Sequence, residues 1–247
     1  MNRPTAAEEG GAALPAASLT GTVLFRYLAK GTLELQSSAH IGGGEEGVCD
    51  MSLLRDELGL PFIPGSSLAG SGASHLARRL HPWSEFSGGR RAWSRLKLFS
   101  YEDAVTRAGT MSPLSVQDAC IVKNTLRVAV RDGVRIDHST GVAADTSKFD
   151  YEVLEPGTRF KLVLECQVRD TDPHEEIKEQ FLALLWCLSR GEIRLGKRTR
   201  RGLGRGEVEK WEITCLDMTK KEHVLSWLKG TRPADAGLDL PGACPLP

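Results

Sequence analysis

Seven basic side chains crowd into residues 190–206, RGEIRLGKRTRRGLGRG, where Glu192 is the one acid. Arg190, Arg194, Lys197, Arg198, Arg200, Arg201 and Arg205 would turn guanidinium and ammonium groups toward an anion. An arginine fork matches phosphate oxygens two at a time. Gly196, Gly202, Gly204 and Gly206 leave backbone N–H groups unshielded among them, as in an anion-binding nest. One reading is a clamp on nucleic-acid phosphates; the other is a solvated basic loop or a contact for an acidic partner. A nucleotide-hydrolysing P-loop is unsupported, because no Lys-Ser or Lys-Thr follows the glycines at the required spacing.

A second cluster is acidic. Glu45, Glu46, Asp50 and Asp56 surround a triple glycine in HIGGGEEGVCD, residues 40–50. Carboxylates in that pattern could give oxygen ligands to a divalent cation, or be solvated loop acids. His40 and His138 sit in loops away from any Cys/His cluster, which suits hydrogen-bonding roles. No G-x-S-x-G or H-E-x-x-H element occurs, leaving hydrolases of those types unsupported. Trp83 and Trp93 lie among arginines, a combination compatible with base stacking or with packing against a neighbouring subunit.

These residues belong to a chain of 247 with 40% hydrophobic and 26% charged side chains, which is ordinary for a globular protein and unlike a disordered one. Lys plus Arg and Asp plus Glu both number 32, so any affinity for a polyanion must come from one face. The six cysteines form no C-x-x-C pair and mostly sit in apolar runs, the usage of a reduced, cytoplasmic protein without a disulfide framework or zinc site. No stretch reaches the roughly 18 apolar residues of a membrane span, and the first residues lack the pattern of a secretory signal.

The elements that must position the clusters follow from periodicity. Residues 23–36 alternate, with Phe25, Tyr27, Ala29, Leu33 and Leu35 on one face, and residues 158–168 alternate still more cleanly; both are strands with one buried face. Ser66 or Ser67 is placed to cap a helix running to about Leu80. Residues 114–122 suit a strand, and 126–149 an extended excursion or hairpin. Asp172, Pro173 and Glu175 open a helix striped by Ile177, Phe181, Leu184, Leu185 and Leu188 and ended by Gly191. The basic loop and a last strand, 207–215, follow. This order predicts an α+β domain of the split βαβ, ferredoxin-like kind. Residues 1–18 are expected as a flexible leader, 19–229 as one domain with a basic insertion at about 78–97, and 230–247 as a loosely held tail.

Four stretches, in order, resemble the RAMP superfamily of CRISPR-associated proteins, specifically the backbone subunit of type III effector complexes. They are HIGGGEEGVCDMSLLRDELGLPFIPGSSLAG (40–70), LSVQDA (114–119), RDGVRIDHSTGVAADTSKFDYEVLEPGTRF (131–160) and LGKRTRRGLGRGEV (195–208). The likeness implies a modified ferredoxin-like (RRM-like) palm with an inserted thumb hairpin at about 125–150 and a glycine-rich loop. Such subunits polymerise along a guide RNA beside other effector subunits, and each thumb flips out a nucleotide of the guide–target duplex.

In cleaving members an Asp after the first strand cuts the target RNA with a divalent cation, Mg2+ or Mn2+; the match falls on Asp50, as catalytic residue and metal ligand. RNA contacts are implied at Ser66, Ser67, Arg135, His138, Gly196, Lys197, Arg198, Arg200, Arg201 and Arg205. Two features depart from the family: its helix Lys is Ala69 here, and the Arg that follows is missing from Ser71, Gly72, Ala73 and Ser74. A non-cutting structural subunit and a guide-processing endoribonuclease are the competing readings.

Overall fold

The computed structural model describes residues 21–44, 50–80, 96–99, 111–136 and 139–246. Glu45, Glu46, Cys49, Trp83, Trp93, His138, the leader and most of the 78–97 insertion lie outside them.

The expected alternation is realised in two long neighbouring strands. In β1 (Val23–Leu35) Tyr27, Ala29, Leu33 and Leu35 are buried, and in β9 (Arg159–Arg169) Phe160, Leu162, Leu164, Cys166 and Val168 are. Both strands lie inside a seven-stranded antiparallel sheet. Its order is β11 (Gly237–Leu238), β10 (Gly206–Asp217), β1, β9, β6 (Ala119–Ile121) and β4 (Phe62–Ile63), with β5 (Leu114–Val116) also paired to β9. Reduced to its four principal positions, β10-β1-β9-β6, this is the split βαβ order the sequence predicts.

Helices α1 (Gly65–Leu80) and α2 (His174–Ser189) supply apolar stripes to the same core. Leu68, Ala73, Leu76 and Ala77 from α1 join Ile177, Phe181, Leu184, Leu185 and Leu188 from α2. Gly72 lets the helices approach: a Cβ there would run into Leu184.

Three further pieces frame the functional surface. β2 (Gly42–Gly44) pairs with β3 (Ser52–Leu53) on either side of the acidic turn. β7 (Val128–Ile136) and β8 (Ala143–Leu154) form the hairpin expected as the thumb. The base of β8 is tied to the core by paired amide–carbonyl bonds between Ala39 and Leu154, at 2.9 and 2.8 Å.

Several local expectations are corrected. Neither Ser66 nor Ser67 caps α1; both are exposed within its first turn. The carboxylate of Asp118, distant in sequence, accepts the N–H of Gly65 at 2.8 Å instead. Asp172 likewise does not cap α2. It accepts the Arg169 N–H at 2.8 Å, closing the turn after β9, and Pro173 takes the cap position. The 230–247 segment is not loosely held where it is described: β11 pairs with Ile213 and Thr214, Ala236 is buried, and Arg232 binds Glu212 at 3.1 Å. Helix α3 (Lys221–Leu228) precedes it, without a sequence signal having marked it.

Asp118→Ala should therefore lower stability by about 1 kcal/mol, the usual worth of a helix cap. Ser66→Ala should shift it by less than about 0.5 kcal/mol. Urea denaturation of the two variants checks the difference.

Candidate nucleic-acid interface

The basic loop is a built structure, not a solvated excursion. Its flanks close on each other, Leu195 N–H donating to Gly204 O at 2.9 Å. They also fasten to residues 36–40, the segment leaving β1. Lys197 N–H donates to His40 O at 2.9 Å, Gly204 N–H to Ser38 O at 2.8 Å, and Gln36 N–H to Arg205 O at 2.8 Å. With these backbone groups satisfied internally, the tip, a 3-10 turn over Thr199–Arg201, stands out with Arg200 and Arg201 exposed.

Arg198 precedes that tip in the left-handed region, φ 60°, a conformation a side-chain-bearing residue adopts at a cost. Its guanidinium lies 4.0 Å from the Tyr151 ring centroid and 4.7 Å from that of Phe149, within cation–π range. Both rings project from β8, so the basic loop rests on the base of the thumb.

The same few residues of β8 hold the acidic turn. Asp150 N–H donates to Asp50 Oδ2 at 2.9 Å, and Glu152 N–H donates to Met51 O at 3.0 Å. The Glu152 carboxylate accepts Leu53 N–H at 2.9 Å and the Arg55 guanidinium at 3.0 Å. Its backbone carbonyl lies 2.7 Å from Nδ1 of the fully buried His40. A carbonyl only accepts, so Nδ1 carries a proton and donates it to Glu152 O. The arginine loop thus lies against one face of this four-residue stretch of strand, and the turn carrying Asp50 pairs along its edge.

A second concavity opens between the loop and α1. It is a cleft of about 590 Å³ lined by Gly70, Ser71, Ser74, His75, Arg78, Glu192, Arg194, Gly196, Thr199 and Arg200. Ser71, Ser74 and Arg78 follow Ser67 down one face of α1 at helical spacing. Arg78, Arg194 and Arg200 have no acidic partner among the described residues. The sequence reading missed the helix side of this cleft, although a polar stripe at i, i+4, i+7 from Ser67 was its available signal.

The expected site residues therefore divide. Gly196, Lys197, Arg198, Arg200 and Arg201 share the loop beside β8 and the cleft. Ser66 and Ser67 lie one turn up the helix face that lines it. Arg205 is committed elsewhere, binding Glu207 through two nitrogens at 2.6 and 3.0 Å. Arg135 lies near the end of β7, and His138 is outside the described residues.

Asp56 spends its carboxylate on the N–H groups of Leu58 and Leu60, closing its own turn. Among the described residues Asp50 belongs to no group of three or more metal-ligating side chains, so these residues by themselves do not build a cation cage there.

The family model of the RAMP superfamily matches residues 32–208. Among solved structures, the chain resembles one from the cryo-EM structure of type III-B Cmr-beta in the apo state. The identity is 14% and the TM-score 0.53, over 74% of this chain and 96% of that one; at that identity the likeness is one of fold. No match is found among curated proteins. Among the described residues, no helix is long and apolar enough to cross a membrane.

Gly202 and Gly204 make the loop's construction testable. Both have left-handed backbones, φ 89° and 81°, but a Cβ on Gly202 would meet open space, whereas on Gly204 it would collide with the Leu195 carbonyl. Gly202→Ala should cost about 1–2 kcal/mol from backbone strain alone. Gly204→Ala should cost more, because the closing of the loop on itself is disrupted as well. Thermal and urea midpoints of the two variants give the comparison.

Proposed function

Because the chain belongs to the RAMP superfamily, we propose that it is a guide-RNA-binding backbone subunit of a type III-like CRISPR effector assembly that cleaves target RNA at Asp50. The observation that carries this reading is the shared strand: residues 149–152 of β8 hold the arginine loop against their aromatic face and the Asp50 turn along their edge. A strand of guide lying against the loop and the α1 cleft would bring its complementary target over the carboxylate. Other effector subunits, and further copies of this chain along the guide, complete the assembly.

Each part has a task the chemistry suits. Arg194, Lys197, Arg200, Arg201 and the open helix face take guide phosphates, which fixes position without reading sequence. The thumb carries an exposed apolar stripe, Val128, Val130, Val134 and Ile136. Apolar side chains on a hairpin can enter a base step and part it, leaving the neighbouring ribose free to rotate.

Asp50 then acts on that ribose. One of its oxygens is held by the Asp150 N–H, and the other accepts the proton of the target 2′-hydroxyl. The 2′-oxygen bonds to the adjacent phosphorus as the bond from phosphorus to the 5′-oxygen breaks. The leaving oxygen takes a proton from water, and the products end in a 2′,3′-cyclic phosphate and a 5′-hydroxyl. A Mg2+ or Mn2+ ion bound by this one carboxylate would draw its remaining ligands from RNA phosphates and water; no step here is routed through it. The lone carboxylate is also what favours the second reading, a non-cutting spacer in the same assembly.

Asp50→Ala in the reconstituted assembly should leave RNA bound and abolish the cut beside each flipped nucleotide, seen on a denaturing gel. An unchanged ladder would assign the chain to the spacer reading. Separately, replacing Arg198, Arg200 and Arg201 together by Ala should weaken RNA binding whatever its sequence. The plot of log affinity against log salt should become shallower by about 1.4, since Arg200 and Arg201 each leave one single-strand phosphate uncontacted at roughly 0.7 apiece, while Arg198 acts through the Tyr151 and Phe149 rings. Fluorescence anisotropy over a salt series measures it.

A further inference from the structure

On the inner edge of the cleft, where α1 meets α2, three side chains of different chemistry bring their donor atoms together. His75 comes from α1, Cys187 from the last turn of α2, and Glu192 from just beyond it. One imidazole nitrogen, the thiol sulfur and one carboxylate oxygen all lie within 4.8 Å of one another. The His75 Nε2 to Glu192 Oε2 distance is 3.1 Å. The proposed handling of RNA makes no use of Cys187.

We propose that His75, Cys187 and Glu192 bind a zinc-class divalent cation whose fourth coordination position opens to the cleft. Tetrahedral zinc bonds run about 2.0–2.3 Å to nitrogen, oxygen and sulfur, which sets ligand atoms on one ion about 3–4 Å apart. The His75–Glu192 spacing of 3.1 Å falls in that range, and the sulfur lies within 4.8 Å of both other ligand atoms. A mixed nitrogen, sulfur and oxygen set favours zinc over magnesium or calcium, which prefer oxygen alone. Both His75 and Glu192 line the cleft, so an ion has a route in.

The surroundings suit each ligand. Burial holds the His75 imidazole below its ordinary range despite the adjacent Glu192, so the neutral, ligating form prevails. Burial first, then the nearby Cys244 and Glu192, pushes the Cys187 thiol up to about 12. The ion must therefore displace a proton: the S–H bond breaks, the proton passes to solvent, and a sulfur–metal bond forms. Binding then weakens as pH falls, by about tenfold per unit for one proton released. Arg79, 2.9 Å from Glu192 Oε2, orients the carboxylate in the manner of an outer-shell partner. The bound ion pins α1 to α2 along one wall of the cleft, and this holds whether or not the chain cuts RNA.

Cobalt titration of the full chain tests it, because tetrahedral Co2+ with a thiolate ligand shows visible d–d bands and a near-ultraviolet charge-transfer band. The expected result is one Co2+ per chain with both signatures, displaced by one equivalent of Zn2+. Cys187→Ser should remove the charge-transfer band. His75→Gln should weaken Co2+ binding by more than the roughly 100-fold that outer-shell changes cost. Cys120→Ser, an exposed thiol elsewhere, should change neither, and circular dichroism melts report whether each variant folds. If Cys187→Ser does not fold, His75→Gln, at a partly exposed helix position, decides alone. No sulfur-linked band at one equivalent, or a band that survives in a folded Cys187→Ser or is unweakened by His75→Gln, overturns the proposal.

Discussion

The functional surface depends on one constraint: residues 149–152 of β8 must face two ways at once. The Phe149 and Tyr151 rings, two residues apart and so on one face, meet Arg198, while the Asp150 and Glu152 N–H groups, along the edge not paired with β7, bind the turn that carries Asp50. Glu152 adds its carboxylate to Leu53 and Arg55 and its carbonyl to His40, so one residue ties the 51–55 turn and the segment leaving β1 to the thumb. Glycine-rich loops lose more conformational entropy on ordering than others. That cost is offset because both loops dock on a strand that is already in register with its hairpin partner.

Charge is arranged with the same economy. Net charge is zero, yet the cations are sorted by role. Arg55, Arg159, Arg205 and Arg232 each have an acidic partner within the chain. Arg194, Arg200 and Arg201 have none among the described residues, and they lie on the loop tip and cleft. Surface pairs of the first kind contribute little to stability, but they remove competing positive charge from other faces. What is left is a local field, the feature a polyanion can find on a neutral protein.

How much of this the sequence disclosed depended on range. Period-two burial in β1 and β9 and the apolar stripe of α2 were legible because each residue's environment repeats along its own element. The helix caps were not. Asp118 caps α1 from some fifty positions away, and a local search naturally settles on the adjacent serines. Pairing of Gly237 and Leu238 with β10 was hidden for the same reason, since a Pro- and Gly-rich tail gives no periodicity even when its backbone completes a sheet. At the functional surface, residue types and the family motif indicated the arginine loop and Asp50. Their meeting on β8 was invisible, because Tyr151 and Glu152 look like ordinary strand residues. The cluster of His75, Cys187 and Glu192 was missed because its members come from different elements and match no spacing rule.

The helix that lacks the family's basic residues makes sense in these terms. Gly70, Ser71 and Ser74 give α1 a low-profile face toward the cleft, while Gly72 and Ala73 turn into the core, and the short side chains of the first three leave the cleft open opposite the loop. Into that space Arg78 enters from the helix's end and Arg194 and Arg200 from the loop. Contacts to a sugar–phosphate chain need positive charge within a few ångströms of the phosphates, and they are indifferent to which element supplies it. In the proposed reading, cations have therefore moved across the groove without leaving it. The exchange has a physical cost, because a loop backbone must be ordered before its arginines can grip, whereas a helix backbone is ordered already. The clamping of the loop to residues 36–40 and to the β8 rings reduces that cost by fixing the backbone before any RNA arrives.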